Sequence, residues 1–283
     1  LSGSDLTYFN DFGCYFDGAV SLDLQNNYRS QSNIVTQGNA FMAKTNGSPS
    51  ISKARLRSES IRLVYSNTVF IEQRSNVLLE DNPDKGFMTH QVSRNELVDF
   101  DRNGKMARLF KACYSIMAKH PLATTKFMIL NRDNYLGFKY ESMPRFKTKL
   151  KSCFRQHEQQ EFRNFDAQVA CTTVHRSKGE EADVVIILNA LDRKFPNIHS
   201  DNELYRLLGI SLDEVYAEEE RLFYVAITRA KQSLYIISEK NRESDFLERI
   251  SYMECRLPKT DAVTRHVEPT PVSENDFSDD IPF

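Results

Sequence analysis

Apolar residues along this chain follow two rhythms: short dense runs, and stripes spaced three and four apart. The runs fall at residues 61–65, 126–130, 169–174, 184–188 and 233–237. Each is short and rich in Ile, Val, Leu or Phe, as in strands buried on both faces. The stripes predict helices. One starts near Ser30 or Ser32 as N-cap, turns Ile34, Val35, Gly38, Phe41 and Met42 inward, and ends in the turn chemistry of residues 45–50. A second carries Met106, Leu109, Phe110, Cys113, Ile116 and Met117 on one face and stops before Pro121. A third covers residues 217–231, with Leu222, Phe223, Ala226, Ile227 and Ala230 as its stripe. It places Glu218, Glu219 and Glu220 near the start and Arg229 and Lys231 in the last turn, the order the helix macrodipole favours. A fourth is expected over 244–253, with Phe246, Leu247, Ile250 and Met253 inward, and the polar stretch 80–86 reads as a loop. Strands alternating with helices predict an α/β fold on a parallel sheet.

Residues 138–165 mix Lys139, Arg145, Lys147, Lys149, Lys151 and Arg155 with Phe138, Tyr140, Phe146 and Phe154. Such a mixture can stack bases and hold phosphates. A solvated helix face anchored by a few aromatics is the simpler reading.

With 283 residues, 40% of them hydrophobic and 27% charged, the chain has ordinary globular usage and room for a sizeable core. No apolar run reaches the roughly 20 residues a membrane span needs, and no signal-peptide pattern occurs. Cys14, Cys113, Cys153, Cys171 and Cys255 are odd in number and lack C-x-x-C spacing, which points to reduced thiols, no metal site and a cytoplasmic location. Cys113 and Cys171 sit in apolar patterns and read as small core residues. The net charge of −2 hides a division: the tail from Val267 holds five acids and no Lys or Arg, leaving a body of net +3. A weakly basic body permits phosphate binding without proving it.

Three segments change the picture. Residues 26–30 read Asn-Asn-Tyr-Arg-Ser, residues 172–181 Thr-Thr-Val-His-Arg-Ser-Lys-Gly-Glu-Glu, and residues 218–230 Glu-Glu-Glu-Arg-Leu-Phe-Tyr-Val-Ala-Ile-Thr-Arg-Ala. Taken alone, the last would be a capped surface helix. In this order the three resemble motifs IV, V and VI of superfamily-1 DNA helicases of the UvrD/Rep type, with helicase IV-like wording after Lys178. No Gly-x-x-x-x-Gly-Lys-Ser/Thr phosphate loop occurs in the sequence. The chain is therefore expected to be the C-terminal portion of a longer helicase, holding the second of two RecA-like motor domains and inactive alone. Glu180 and Glu220 depart from the family's usual residues.

The resemblance implies ATP with Mg²⁺, the metal ligands lying on the first motor domain. It implies that Tyr28 stacks on adenine, that Arg29 and Arg229 reach the γ-phosphate as catalytic residues, that Glu181 accepts from the ribose, and that Gly179 lets the backbone approach the nucleotide. Thr173 and His175 would hold single-stranded DNA, with movement 3′ to 5′; a neutral histidine packed at a strand end is the plainer role for His175. The expected partners are single-stranded DNA and the N-terminal motor domain, with no membrane. Expected boundaries are 1–49 for the connector and start of the motor domain, 50–122 for a reduced insertion, 123–256 for the rest of the motor domain, and 257–283 for a disordered acidic tail.

That tail ends Asp279-Asp280-Ile281-Pro282-Phe283. It resembles the tip of bacterial single-stranded-DNA-binding protein, which implies a recruitment peptide for proteins that read that tip, the free carboxylate being part of the epitope. The alternative for the whole chain is a non-catalytic recruitment or decoy module built on this tip.

Overall fold

The computed structural model describes residues 12–257 except 21, 23, 44–47, 69–76, 83–85, 92–104, 137–141, 156–161, 163 and 199–210. Within those, the side chains of 77–82, 86–91, 105–107, 153 and 155 are not described. The acidic tip, Asp279 to Phe283, therefore lies outside the described residues, as do Phe138 and Tyr140.

The apolar runs form the sheet. Strands β3 (Ile61–Tyr65), β6 (Phe127–Asn131), β7 (Val169–Thr173), β8 (Ala182–Ile187), β9 (Ala230–Ser238) and β10 (Tyr252–Glu254) align in the order β10-β3-β9-β8-β6-β7, and every pairing is parallel. Alternate residues serve opposite faces, which is why apolar residues predominate at both odd and even positions of the central strands. Phe127, Ile129, Val184, Ile186, Tyr235 and Ile237 join one core, and Met128, Leu130, Val185, Ile187, Leu234 and Ile236 join the other. The first core is roofed by α2 (Lys105–Met117) and α3 (Met143–Arg155), the second by α1 (Ser32–Phe41) and α4 (Leu212–Ile227). This is a doubly wound α/β layer structure. Two small pairs complete it: β1 (Asn26–Asn27) with β2 (Ile51–Ser52), parallel, and β4 (Val77–Asn82) with β5 (Gly86–Gln91), antiparallel. Among the described residues no helix is long and apolar enough to cross a membrane.

Within the described part of the basic and aromatic stretch, α3 packs its aromatics into the core. Met143, Phe146, Leu150 and Phe154 are buried at helical spacing, so neither phenylalanine is available to a base. Phe146 stacks on Phe110 of α2, and Lys147 and Lys151 turn outward to Asp166.

Several expectations need correction. The helix over 217–231 instead starts at Leu212 and ends at Ile227, with Thr228 as C-cap; Arg229 lies beyond it and Lys231 is in β9. Its start is fixed by a capping box, Ser211 Oγ accepting from Glu214 N and the Glu214 carboxylate from Ser211 N. Glu218–Glu220 consequently lie in mid-helix, where cations and not the macrodipole hold two of them. Glu219 is buried against Arg132 (Nη2 to Oε1, 2.6 Å), and Glu220 pairs with Arg249, whose guanidinium lies 4.4 Å from the Phe41 ring centre.

The N-cap of α1 is Gln31, not a serine: Gln31 Oε1 accepts from Asn33 N at 2.7 Å, and Met42 falls outside the helix as its C-cap. Residues 80–82 and 86 belong to the β4–β5 hairpin and not to a loop. The helix expected over 244–253 is a single 3₁₀ stretch, Asp245–Arg249, because the chain then extends to pair with β3 as an edge strand, leaving Met253 61% exposed. Segment 50–122 also differs from an insertion. Among its described residues it supplies β3 at the interior of the sheet and α2 on its core, while β2 and the β4–β5 pair lie outside the main sheet.

Candidate functional site

The parallel sheet brings Arg29, Glu181 and Arg229, one from each of the three segments, to one edge. β8 and β9 begin side by side, with Ala182 paired to Ala230 and Ala182 N donating to Arg229 O at 3.1 Å. The chain before α1 reaches the same edge: Ser30 Oγ donates to Ala230 O at 2.6 Å and Gln31 N to Lys231 O at 2.9 Å. Asn27 fixes the turn ahead of α1, its Oδ1 accepting from Arg29 N at 2.9 Å and Ser30 N at 3.0 Å. α1 then lies close on α4, because Gly38 presents only hydrogen to Tyr224; a Cβ there would stand 3.2 Å from the Tyr224 ring.

The result is a cluster of charge. Arg29 Nε meets Glu181 Oε2 at 2.6 Å, and Lys231 Nζ takes Glu181 Oε1. The hydrogen bond from Lys231, joined by the charges of Lys231 and Arg29, holds the Glu181 carboxyl below the usual range against the opposing effect of burial. Arg229 is 9% exposed. Its Nε donates to Val225 O at 3.1 Å and its Nη1 to Glu180 O at 2.9 Å and Ser177 O at 3.5 Å. Burial, then the neighbouring Arg29, push the Arg229 guanidinium below its usual range. Carbonyl groups thus fix its direction and leave its charge without a direct carboxylate partner among those contacts. Between Ser177 and Glu180, Gly179 has φ +89°, and a Cβ there would point into open space. This is a place where a phosphate could approach the backbone. Tyr28, 72% exposed, stands one residue before Arg29.

Arg29, Gly179, Glu181 and Arg229 are thereby brought together, with Tyr28 beside them. Thr173 and His175 are not. They lie at the C-terminal end of β7, where Val174 N donates to Asn131 O at 3.0 Å, whereas Glu181 lies at the N-terminal end of β8. The residues between, 174–181, cross one face of the sheet in successive turns closed by Ser177 N to Thr173 O (3.1 Å) and Glu180 N to Ser177 O (3.0 Å). Thr173 is buried, and His175 is exposed with its imidazole held below the usual value by partial burial and then by Arg132. Among the described residues no three His, Cys, Asp or Glu side chains are placed to share a metal ion.

Sequence reasoning missed Lys231, read as a helix-end cation, and the Arg132–Glu219 pair. The Ser211-Leu212-Asp213-Glu214 cap was the available signal, since it sets where α4 ends and so where Lys231 falls.

Known proteins share this part of the chain. The model of the UvrD-like helicase C-terminal domain matches residues 89–241, more than half of the 283 residues, and the chain belongs to that family. A protein named "Probable DNA helicase" from Mycoplasma pneumoniae is 40% identical over 73 residues, 25% of this chain and 12% of that protein. DNA helicase IV of Escherichia coli is 34% identical over 84 residues, 29% of this chain and 12% of that one. A second Mycoplasma pneumoniae protein, named "Probable DNA helicase II homolog", is 27% identical over 199 residues, 65% of this chain and 26% of that one. The matched stretches are thus a minor part of each relative's length.

Proposed function

We propose that this chain is the second motor domain of an ATP-dependent DNA helicase, contributing the arginines that complete an ATP site. The nucleotide would lie against the edge where β8 and β9 begin. There Tyr28 stacks on the base, Glu181 accepts from the ribose, Gly179 lets the backbone approach, and Arg29 and Arg229 take the γ-phosphate. A first motor domain would supply the phosphate loop and hold Mg²⁺, which neutralises charge on the phosphates. Thr173 and His175 would hold single-stranded DNA at the far end of the 174–181 crossover, with translocation 3′ to 5′.

The observation that carries this reading is Arg229: a buried guanidinium aimed by carbonyl oxygens, beside Arg29 and open backbone at Gly179. Burying an arginine without a carboxylate contact is costly unless an anion arrives to share its charge. In the full-length protein, Arg229→Ala should lower DNA-stimulated ATP turnover by roughly 10³-fold or more, the scale of an arginine finger. Single-stranded-DNA affinity measured without nucleotide should stay close to that of the parent. Equal loss of both would assign Arg229 to folding or DNA contact instead.

The terminal Asp279-Asp280-Ile281-Pro282-Phe283 supports a second role, recruitment of proteins that read the tip of single-stranded-DNA-binding protein. Deleting Ile281, Pro282 and Phe283 should abolish capture of such a protein from a purified mixture; undiminished capture would dismiss this role.

A further inference from the structure

Glu181 has both oxygens engaged, Oε2 by Arg29 and Oε1 by Lys231. If this edge binds ATP with Glu181 at the ribose, the arrangement must open, because the γ-phosphate lies at the other end of the triphosphate and Arg29 cannot hold both at once. Without a second cation, losing Arg29 would leave the carboxylate uncompensated before an incoming polyphosphate, and that repulsion would oppose binding. Lys231 removes the difficulty. Its backbone is held in β9, where Lys231 O accepts from Gln31 N at 2.9 Å, so its side chain starts beside Glu181 and reaches the carboxylate by a contact separate from that of Arg29. A lysine suits this role because a compact charge on a flexible stem can follow the carboxylate as it turns toward a ribose. The Arg29–Glu181 link is itself half-exposed, and solvent can replace it at little cost.

We infer that Lys231 is a positioning residue that keeps Glu181 compensated and in place, freeing Arg29 to exchange from the carboxylate to the terminal phosphate of ATP. The inference rests on reading this edge as the ATP site. It makes the charge exchange specific to the triphosphate, since ADP offers no γ-phosphate for Arg29 to take.

The test uses the full-length protein with ATP and ADP as probes, comparing Lys231→Met and Lys231→Arg with the parent. For Lys231→Met, the preference for ATP over ADP should fall roughly tenfold, and KM for ATP should rise by more than kcat falls, the pattern of lost ground-state binding. Lys231→Arg should restore most of the preference, and adding Glu181→Gln to Lys231→Met should cost less than the two changes summed. Equal weakening of ATP and ADP would mark Lys231 as merely structural and overturn the inference, as would an unchanged preference. Arg229→Ala separates the inference from the reading beneath it. Turnover that survives that change overturns the ATP-site reading and the inference with it; turnover lost there, with no ATP-over-ADP effect at Lys231, overturns the inference alone.

Discussion

At the scale of single residues, ionisable groups divide by how the fold compensates them. Arg132 is held above its usual range: burial opposes its charge, but the hydrogen bonds and charge of Glu219 prevail, with Nε 3.1 Å from both carboxylate oxygens. Glu219 Oε2 also accepts from Asn197 N at 3.1 Å, so the pair ties the end of β6 to α4 and to the loop after β8. Cys171 is the opposite case, a thiol that burial pushes up to about 12 against the opposing charge of Lys147 and keeps unreactive near neutral pH. His120 is intermediate. Burial first, then the charges of Arg62 and Lys119, lower its pKa below the ordinary 6.5, with Glu59 opposing them. Its Nε2 lies 3.2 Å from the Tyr235 hydroxyl, to which Arg62 also donates at 2.7 Å. Because the folded state disfavours protonated His120, the unfolded chain takes up the proton first as acidity increases. The stability that neutral His120 secures is thus complete well above 6.5 and is lost as pH falls from there to the depressed folded value. Melting curves between about pH 7 and pH 5 should show a smaller loss of Tm for His120→Gln than for the parent; parallel losses would disprove this coupling.

At the scale of elements, the site depends on how closely α1 and α4 approach. Phe41 and Phe223 meet with ring centres 5.3 Å apart, Phe246 lies 5.4 Å from each, and Gly38 lets the Tyr224 ring close over the helix. This contact sets where α1 begins, hence the position of Arg29 relative to Glu181. Gly38→Val would drive methyl groups into the Tyr224 ring. Overpacking of this kind costs about 1–3 kcal/mol, a range that urea denaturation resolves readily. The same change should weaken ATP binding more than DNA binding, since Thr173 and His175 lie at the other end of the sheet. A stability change below about 0.5 kcal/mol would show that the two helices part freely.

At the scale of the whole molecule, the 174–181 crossover links two edges of one sheet without a helix, so the proposed nucleotide contacts and the proposed DNA contacts lie on a single short segment. A shift of Glu181 or Gly179 toward a phosphate can reach His175 through a few tight turns. The sequence by itself determined the five central strands β3, β6, β7, β8 and β9, because strands covered on both faces are rich in apolar residues, and it determined α2, whose stripe can satisfy only one core. It also marked Tyr28, Arg29, Gly179, Glu181 and Arg229, through motif wording that local chemistry alone would not reveal. Tertiary structure decided the rest. That Lys231 and Arg29 share Glu181 depends on β8 and β9 starting together, and that Glu219 is buried against Arg132 depends on α4 bringing it to the residue that follows β6. The reassignment of 252–254 to an edge strand came from the open side of β3. Periodicity reports which face of an element is dry; it carries no record of which distant element lies there, because pairing partners are selected by the packing of the whole sheet.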